Sequence, residues 1–393
     1  MTEDIVPGRA PGTTTADGRT GAPPDIRPRS HKERLTCLMF QIRNTLLFGF
    51  VRKGLAGMKG YPLLGSLRML SLGFLPDRQV TFGLGQWPSR RKVRQYITDW
   101  QLERMAYSSF AHMRCRPLLD DKVKFTELVG GLASTPKLLA VIQSGRLFPT
   151  SADVPTPDAA GLFAAARTHG GLVLKPRSAF GGKGVFILAP EDGQFRLNRE
   201  SVQPAGLEER IRGLDTYIVT PKVRQAQYAA ALFAKTANTI RLVTMVEPVD
   251  GDVIIAEAVH RIGAESSFPV DNYGPGGLYS FIDIESGRLS SAVRNDGRRY
   301  AKHPDSGAPI EGVVIPRWHE LLDSVKRLAR ALDFVPYIGW DLARTDNGFF
   351  VIEGNYDAQL HQRFRPLLTD ERVRACYRHW LSVKKGGAGS TGR

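Results

Sequence analysis

Near its end the chain carries two apolar runs, Tyr337-Ile-Gly-Trp-Asp341-Leu-Ala and Phe349-Phe-Val-Ile-Glu353-Gly-Asn355, on either side of Asp346-Asn347-Gly348. Two such runs about a turn-forming triplet predict a β-hairpin. Asp341, Glu353 and Asn355 fall near the open ends of its strands. Strand parity then ties the turn to the chemistry. With a two-residue Asn347-Gly348 loop, Asp341 would oppose Gly354, and the two carboxylates would point to opposite faces. With a three-residue Asp346-Asn347-Gly348 loop and Gly348 left-handed, Asp341 opposes Glu353 and Asn355 lies one dyad along. Two carboxylates and an amide oxygen converging there suit a hard cation such as Mg2+ bridging phosphates. The alternative is a buried hairpin whose acids meet arginines or backbone donors.

A second segment, Gly170-Gly-Leu-Val-Leu-Lys175-Pro-Arg-Ser178-Ala-Phe-Gly181-Gly182-Lys-Gly184-Val-Phe-Ile-Leu, joins two short apolar runs through a glycine-rich loop. Lys175 ends the first run, where an ammonium among apolar neighbours is costly unless an anion pairs with it. Ser178, Gly181, Gly182 and Gly184 offer flexible backbone N–H groups of the kind that cradle phosphates. Lys183 is followed by glycine rather than Ser or Thr, which excludes a Walker loop. The residues after Gly184 read as a strand, which excludes a dinucleotide fingerprint. A glycine-rich hairpin without a ligand is the competing reading.

The chain of 393 residues is 42% apolar and 24% charged, ordinary for a globular protein with two or three small cores. Cys37, Cys115 and Cys376 lie far apart, predicting neither a disulfide framework nor a zinc site and favouring a reducing cytoplasm. No apolar run reaches membrane-spanning length, and the polar, proline-rich start lacks a signal-peptide core. Residues 1–120 hold 19 Lys and Arg against 9 Asp and Glu, so most of the formal charge of +15 comes early. That excess favours an anionic partner. Nucleic acid is not expected, because no binding module or aromatic-basic pattern accompanies the charge.

Composition predicts a disordered tail over residues 1–30, rich in Gly, Pro, Thr and Arg. A basic, mainly helical region follows over 31–117. Within it Leu35, Leu38, Met39, Ile42 and Leu46 form a helically spaced apolar stripe, which either packs on the body or lies at a membrane surface. Residues 54–90 are punctuated by glycine and predict no clear element, Arg90–Leu118 reads as helix, and Lys122–Gly130 continues as another. Leu138–Ile142 reads as a strand. Strands dominate after Thr216, a helix covers about Pro316–Leu332, and a last helix covers about Asp370–Val383. Residues 384–393 read as a flexible tail.

Together the two motifs resemble the ATP-grasp superfamily, in which a strand–glycine loop–strand lid closes over ATP and a late Asp…Glu-x-Asn set holds magnesium. The resemblance runs from about Leu118 to about Trp380. It extends to Asp121-Lys122 opening a helix, Tyr217-Ile-Val-Thr220-Pro-Lys222, Asn238-Thr-Ile-Arg241, Val270-Asp271-Asn272-Tyr-Gly-Pro-Gly276-Gly277, Asp283-Ile-Glu-Ser-Gly287 and His303-Pro-Asp-Ser-Gly307. This ordered series is most similar to the sugar-transfer-associated branch, whose members are found near polysaccharide-assembly enzymes. The resemblance implies an α+β ATP-grasp fold over residues 118–383, two α+β lobes clasping ATP, with the lid at about 145–215 and the catalytic sheet at about 216–360.

The resemblance also implies roles. Lys122 and Lys175 match the lysines that neutralise nucleotide phosphates, although Lys122 could equally be a surface lysine. Ser178, Gly181, Gly182 and Gly184 would cap the phosphates, and the Tyr217–Lys222 strand, with Thr220 and Lys222, would lie along adenine. Pro221 lacks a donor there, and the Glu common in this hinge is absent, which leaves the adenine-reading groups open. Asp341, Glu353 and Asn355 would hold Mg2+, with Mn2+ as a substitute. Arg241, at the end of an apolar strand, would stabilise the transferring phosphoryl group; a salt bridge to Glu257 or Asp341 is the competing account. Asp271, Asn272, Gly276 and Gly277 would border the acceptor, or form a plain turn.

The implied activity is an ADP-forming carboxylate–amine ligase acting in polysaccharide, cell-surface or small-metabolite modification. Arg241 and Lys175 would be its catalytic residues. The alternatives are a phosphotransferase acting on a sugar hydroxyl, or a non-catalytic glycan- or partner-binding module. The expected location is the cytoplasm, free or in peripheral contact with a membrane or polyanion through the basic N-terminal region.

Overall fold

In the computed structural model of the chain, residues 48–382 are described, apart from 59, 103–109, 180, 357, 359, 363 and 364. The expected disorder of residues 1–30, the stripe from Leu35 to Leu46 and the tail at 384–393 lie outside the described residues.

Two antiparallel sheets of seven strands each form the body. The first is built from β1 (Ala140–Gln143), β2 (Arg146–Pro149), β3 (Leu172–Pro176), β4 (Phe186–Glu191), β5 (Gln194–Leu197), β6 (Glu200–Ser201) and β7 (Tyr217–Pro221), in the order β2-β1-β7-β3-β4-β5-β6. The second contains β8 (Thr239–Val246), β9 (Val253–Ile262), β10 (Leu278–Phe281), β11 (Ala292–Val293), β12 (Arg299–Tyr300), β13 (Tyr337–Arg344) and β14 (Phe349–Asn355), in the order β12-β11-β10-β9-β8-β13-β14.

Each sheet covers one face with helices and leaves the other toward the space between them. Helix Ala159–His169 begins where Asp158 accepts from the Gly161 N–H at 2.9 Å and ends at left-handed Gly170. With helix Pro204–Arg212 it buries Leu162, Leu207 and Ile211 against Leu172, Leu174, Leu188 and Val219 of the first sheet. Strand alternation therefore sends Val173 and Lys175 to the opposite face. On the second sheet, helix Trp318–Ala331 buries Trp318, Leu321, Leu322, Val325 and Leu328 at helical spacing against Ile240, Leu242, Ile338 and Trp340. Arg241 and Asp341 consequently face the other way.

Three expectations need correcting. The strand at Tyr217 does not open the second sheet; it sits inside the first, between β1 and β3, pairing Val219 with both Ala140 and Leu174. The stretch Arg90–Leu118 is not one helix, because a short helical turn at Arg90–Val93 gives way to bends before the next helix at Phe110–Asp120. The unassigned 54–90 region contains helix Leu63–Ser71 and a turn of helix at Arg78–Thr81.

The region before residue 103 docks on the second sheet. The Ile97 N–H donates to Gln362 Oε1 at 2.9 Å, Gln362 Nε2 donates to the Ile97 carbonyl at 2.7 Å, and Ile97 packs beside Val243 and Tyr337.

Candidate active site

Between the sheets lies a cleft enclosing about 1050 Å³ of space, part of it open to solvent. One wall is apolar, with Val173, Val185 and Ile187 from the first sheet opposed by Ile352 from the second. The other end is charged, where Lys122, Lys175, Arg261, Asp341 and Glu353 meet.

Glu353 reaches that end through an irregular ladder. Thr345 N–H donates to the Gly348 carbonyl at 2.9 Å, so the turn consists of Asp346 and Asn347, and Gly348 has no positive φ. The expected three-residue loop with left-handed Gly348 is thus incorrect. A regular ladder from this turn would set Asp341 against Ile352. A bulge shifts the register between Asp341 and Leu342, and Asp341 pairs with Glu353, Gly339 with Asn355. The bulge does for parity what a third turn residue would have done.

Lys122 is brought in by its helix. Asp121 caps helix Lys122–Val129 by accepting from Val123 and Lys124 N–H, and Arg177 Nε donates to the Asp121 carboxylate at 2.8 Å. Phe125 on the same helix packs over Gly354, where an added Cβ would come within 2.7 Å of its ring. Burying that ring is worth about 2 kcal/mol, and it fixes Lys122 with Nζ 3.5 Å from Glu353 Oε2 and 3.1 Å from the Ala179 carbonyl. Lys122 is buried, not a surface lysine.

Asp341 is the best-connected acid. Arg241 donates to both its oxygens, at 2.5 and 2.9 Å, and Arg261 Nη1 lies 3.2 Å from Oδ2. Arg261 Nη2 continues to Asp271 at 3.2 Å, and Asp271 accepts from the Thr239 N–H at 2.7 Å. Burial opposes ionisation of Asp341, but Arg241 and Arg261 outweigh it and hold the carboxyl well below the usual carboxylate range. Glu353 differs. Burial, then the Asp341 charge, push its carboxyl upward against the pull of Lys122. Burial and the Lys122 charge push the Lys175 ammonium down to about 8, against the pull of Glu353 and Asp341. The site is therefore an anion-hungry cation pair beside two mutually repelling carboxylates.

The glycine loop covers this end. Gly181 and Gly182 have φ of 74° and 71°, values that favour glycine, and an added Cβ at Gly182 would lie 2.8 Å from Val270. Asn272 Nδ2 donates to the Gly181 carbonyl at 2.8 Å, tying the loop to the second sheet.

Of the residues singled out in the sequence, Lys122, Lys175, Gly181, Gly182, Thr220, Lys222, Asp271, Asn272, Asp341 and Glu353 line the cleft. Arg241 and Asn355 sit just behind it, Arg241 on Asp341 and Asn355 with Nδ2 donating to the Gly339 carbonyl at 3.2 Å. Ser178, Gly184, Gly276 and Gly277 are not on the wall. Gly184 instead packs on Tyr217, and Gly277 closes a turn on the Asn272 carbonyl. The Lys222 N–H is already used by the Gly171 carbonyl at 2.9 Å. Arg241 pairs with Asp341, whereas Glu257 accepts from the His361 N–H at 2.7 Å. Arg261 was not assigned from sequence. Its only signal was odd parity with Arg241, legible once Arg241 is known to pair with Val259.

The donor set Asp341, Glu353 and Asn355 is all oxygen, and the repulsion that raises Glu353 is what a divalent cation relieves, so these residues fit Mg2+. Among the curated proteins, none matches the chain in sequence. Among solved structures, D-alanyl-alanine synthetase A from Vibrio cholerae O1 biovar eltor is similar at 13% identity over 67% of this chain and 66% of that one, with a TM-score of 0.39. An N5-carboxyaminoimidazole ribonucleotide synthetase solved as its ADP complex gives 10% identity, 67% and 52% coverage and a TM-score of 0.37. The ATP-grasp ligase PsnB, complexed with a minimal precursor, gives 14% identity, 69% and 62% coverage and a TM-score of 0.35. The chain thus spans little more than half the length of the last two proteins. Over residues 103–363, about two thirds of its length, it matches the sequence profile of one family. The chain belongs to the sugar-transfer associated ATP-grasp family.

Proposed function

We propose that the protein is an ATP-dependent ligase that activates a substrate carboxylate as an acyl-phosphate and joins it to an amine. The observation that carries this reading is the convergence of Lys122, Lys175, Asp341 and Glu353 at one end of a single cleft, beneath the glycine loop. The apolar wall of Val173, Val185, Ile187 and Ile352 suits an adenine ring. Lys122 and Lys175 face the phosphates, and the backbone at Gly181 and Gly182 caps them. Asp341, Glu353 and Asn355 hold Mg2+, or Mn2+ in its place. The metal supplies charge neutralisation at the β- and γ-phosphates.

The substrate carboxylate attacks the γ-phosphorus and ADP departs, the growing charge being spread over Lys175 and Lys122. An amine then attacks the acyl carbon, phosphate leaves with one former carboxylate oxygen, and the ammonium proton is lost. The glycine loop, held down by Asn272, keeps water from the acyl-phosphate. Arg241 and Arg261 orient Asp341, and Asp271 with Asn272 borders the acceptor. The setting is modification of a polysaccharide, cell-surface component or small metabolite in the cytoplasm.

The test is isotopic. Candidate amino acids and uronic acids carrying ¹⁸O in the carboxylate are incubated with protein, ATP, Mg2+ and amines. Label in the released phosphate supports the ligase. ADP formation with all label retained and a phosphorylated hydroxyl overturns it in favour of a phosphotransferase.

A further inference from the structure

Among the described residues nine large apolar side chains are exposed, and five of them, Leu55, Leu63, Leu64, Leu67 and Trp87, fall within one short stretch before the family match begins. The other four are scattered from Leu132 to Val314. The five form one patch. Leu63, Leu64 and Leu67 occupy one side of helix Leu63–Ser71, whose opposite side buries Gly65, Ser66 and Met69. Helix Phe48–Gly57 lies against it: an added Cβ at Gly54 would meet Leu70 at 2.5 Å, and the short connection sets Leu55 beside the start of the second helix. Gln86, next to Trp87, packs against Gly65 of that helix.

Exposing leucines at 49–69% is unfavourable in water unless a partner covers them. The charge around the patch indicates which partner. Residues 48–102 hold nine Lys and Arg against two Asp and Glu. Both acids, Asp77 and Asp99, are engaged by Arg78. Arg68, Arg90, Arg91 and Arg94 form no ion pair among the described residues. A leucine ridge and an indole bordered by unpaired arginines fit an interface that is apolar within and anionic at its rim.

We propose that this helical hairpin docks the protein peripherally on an anionic lipid bilayer, with Leu63, Leu64 and Leu67 entering the headgroup–acyl boundary and the arginines meeting lipid phosphates. No described helix is long and apolar enough to cross a membrane, so the contact lies on the surface. The docking is independent of the ligase reading, because none of its residues lines the cleft.

The full-length protein and its Leu63→Asn/Leu64→Asn/Leu67→Asn variant are floated with phosphatidylcholine vesicles, with and without phosphatidylglycerol. Wild type is expected to float with the phosphatidylglycerol vesicles only, less so as salt rises. The variant should bind roughly tenfold more weakly at unchanged melting temperature. Four outcomes overturn the proposal. Wild type does not bind at low salt; the variant binds as well as wild type, which assigns binding to other basic residues; the variant melts lower, which shows the leucines packed inside the protein; or sedimentation shows a dimer that the variant dissociates. ATP binding by the variant separates a failure here from a failure of the cleft.

Discussion

Asp341 faces Glu353 across the last two strands because one extra residue, Ile352, is inserted after the turn. Without that bulge the same turn would aim the carboxylates at opposite faces. The two acids are then unequal: Arg241 and Arg261 neutralise Asp341, while Glu353 is raised by burial and by Asp341 itself.

Glu353→Gln separates activity from stability. Mg2+-dependent ATP turnover is expected to fall by about 10²–10⁴, since a ligand for transition-state charge is lost. Stability moves the other way. A carboxyl raised above its unfolded value contributes stability below the unfolded value and loses it as pH rises through the folded one. The variant should therefore melt higher than wild type at pH 7–8, with the gap closing toward the usual Glu value of about 4.3. Thermal melts across that range, beside an ADP-release assay, check both; a variant that melts lower at neutral pH would contradict the assignment.

Lys175 makes nucleotide affinity pH-dependent. Its ammonium is pushed down to about 8 in the free protein, and a phosphate restores the proton. Above pH 8 binding must take up a proton, so Kd should rise toward tenfold per pH unit. Folding shows the opposite slope: the unfolded lysine still holds its proton between about 8 and 10.4, so stability rises with pH there. Lys175→Met should stabilise the free protein at pH 7 by about 1–3 kcal/mol. Titration in buffers of different ionisation enthalpy reads the proton uptake directly.

Gly182→Ala probes the loop. At φ 71°, with Val270 2.8 Å from an added Cβ, the substitution should cost about 1–2 kcal/mol of closed-loop stability and weaken ATP binding about tenfold. Gly193→Ala is the control. Its φ is 76° with nothing near an added Cβ, and it lies between β4 and β5, away from the cleft. It should lower melting slightly and leave ATP affinity alone.

The parts of this arrangement that were legible in sequence are local ones. The apolar runs about Asp346–Gly348 and the glycines after Lys175 are patterns within some twenty residues, and strand alternation alone tied Asp341 to Glu353. What stayed hidden depends on distant pairing. Ile352 carries no mark of a bulge, because an isoleucine suits any strand. Tyr217–Pro221 reads as a strand, but its place between β1 and β3 follows from ladders to residues some forty and eighty positions earlier. Arg261 joined the site only through its register with β8. The break after Val93 was masked by helix-favouring residues on both sides, and it is Ile97 docking on the second sheet that bends the chain there.

Calorimetric titration of ATP with Mg2+ into the wild-type protein and Lys175→Met tests the central claim most directly. Wild type should bind one ATP per chain, and the variant, folded and more stable, should bind at least about tenfold more weakly, as expected for removing a charge that meets phosphate in a low-dielectric cleft. Equal affinity for the two proteins, or no binding by wild type, would contradict the assignment of this cleft to ATP.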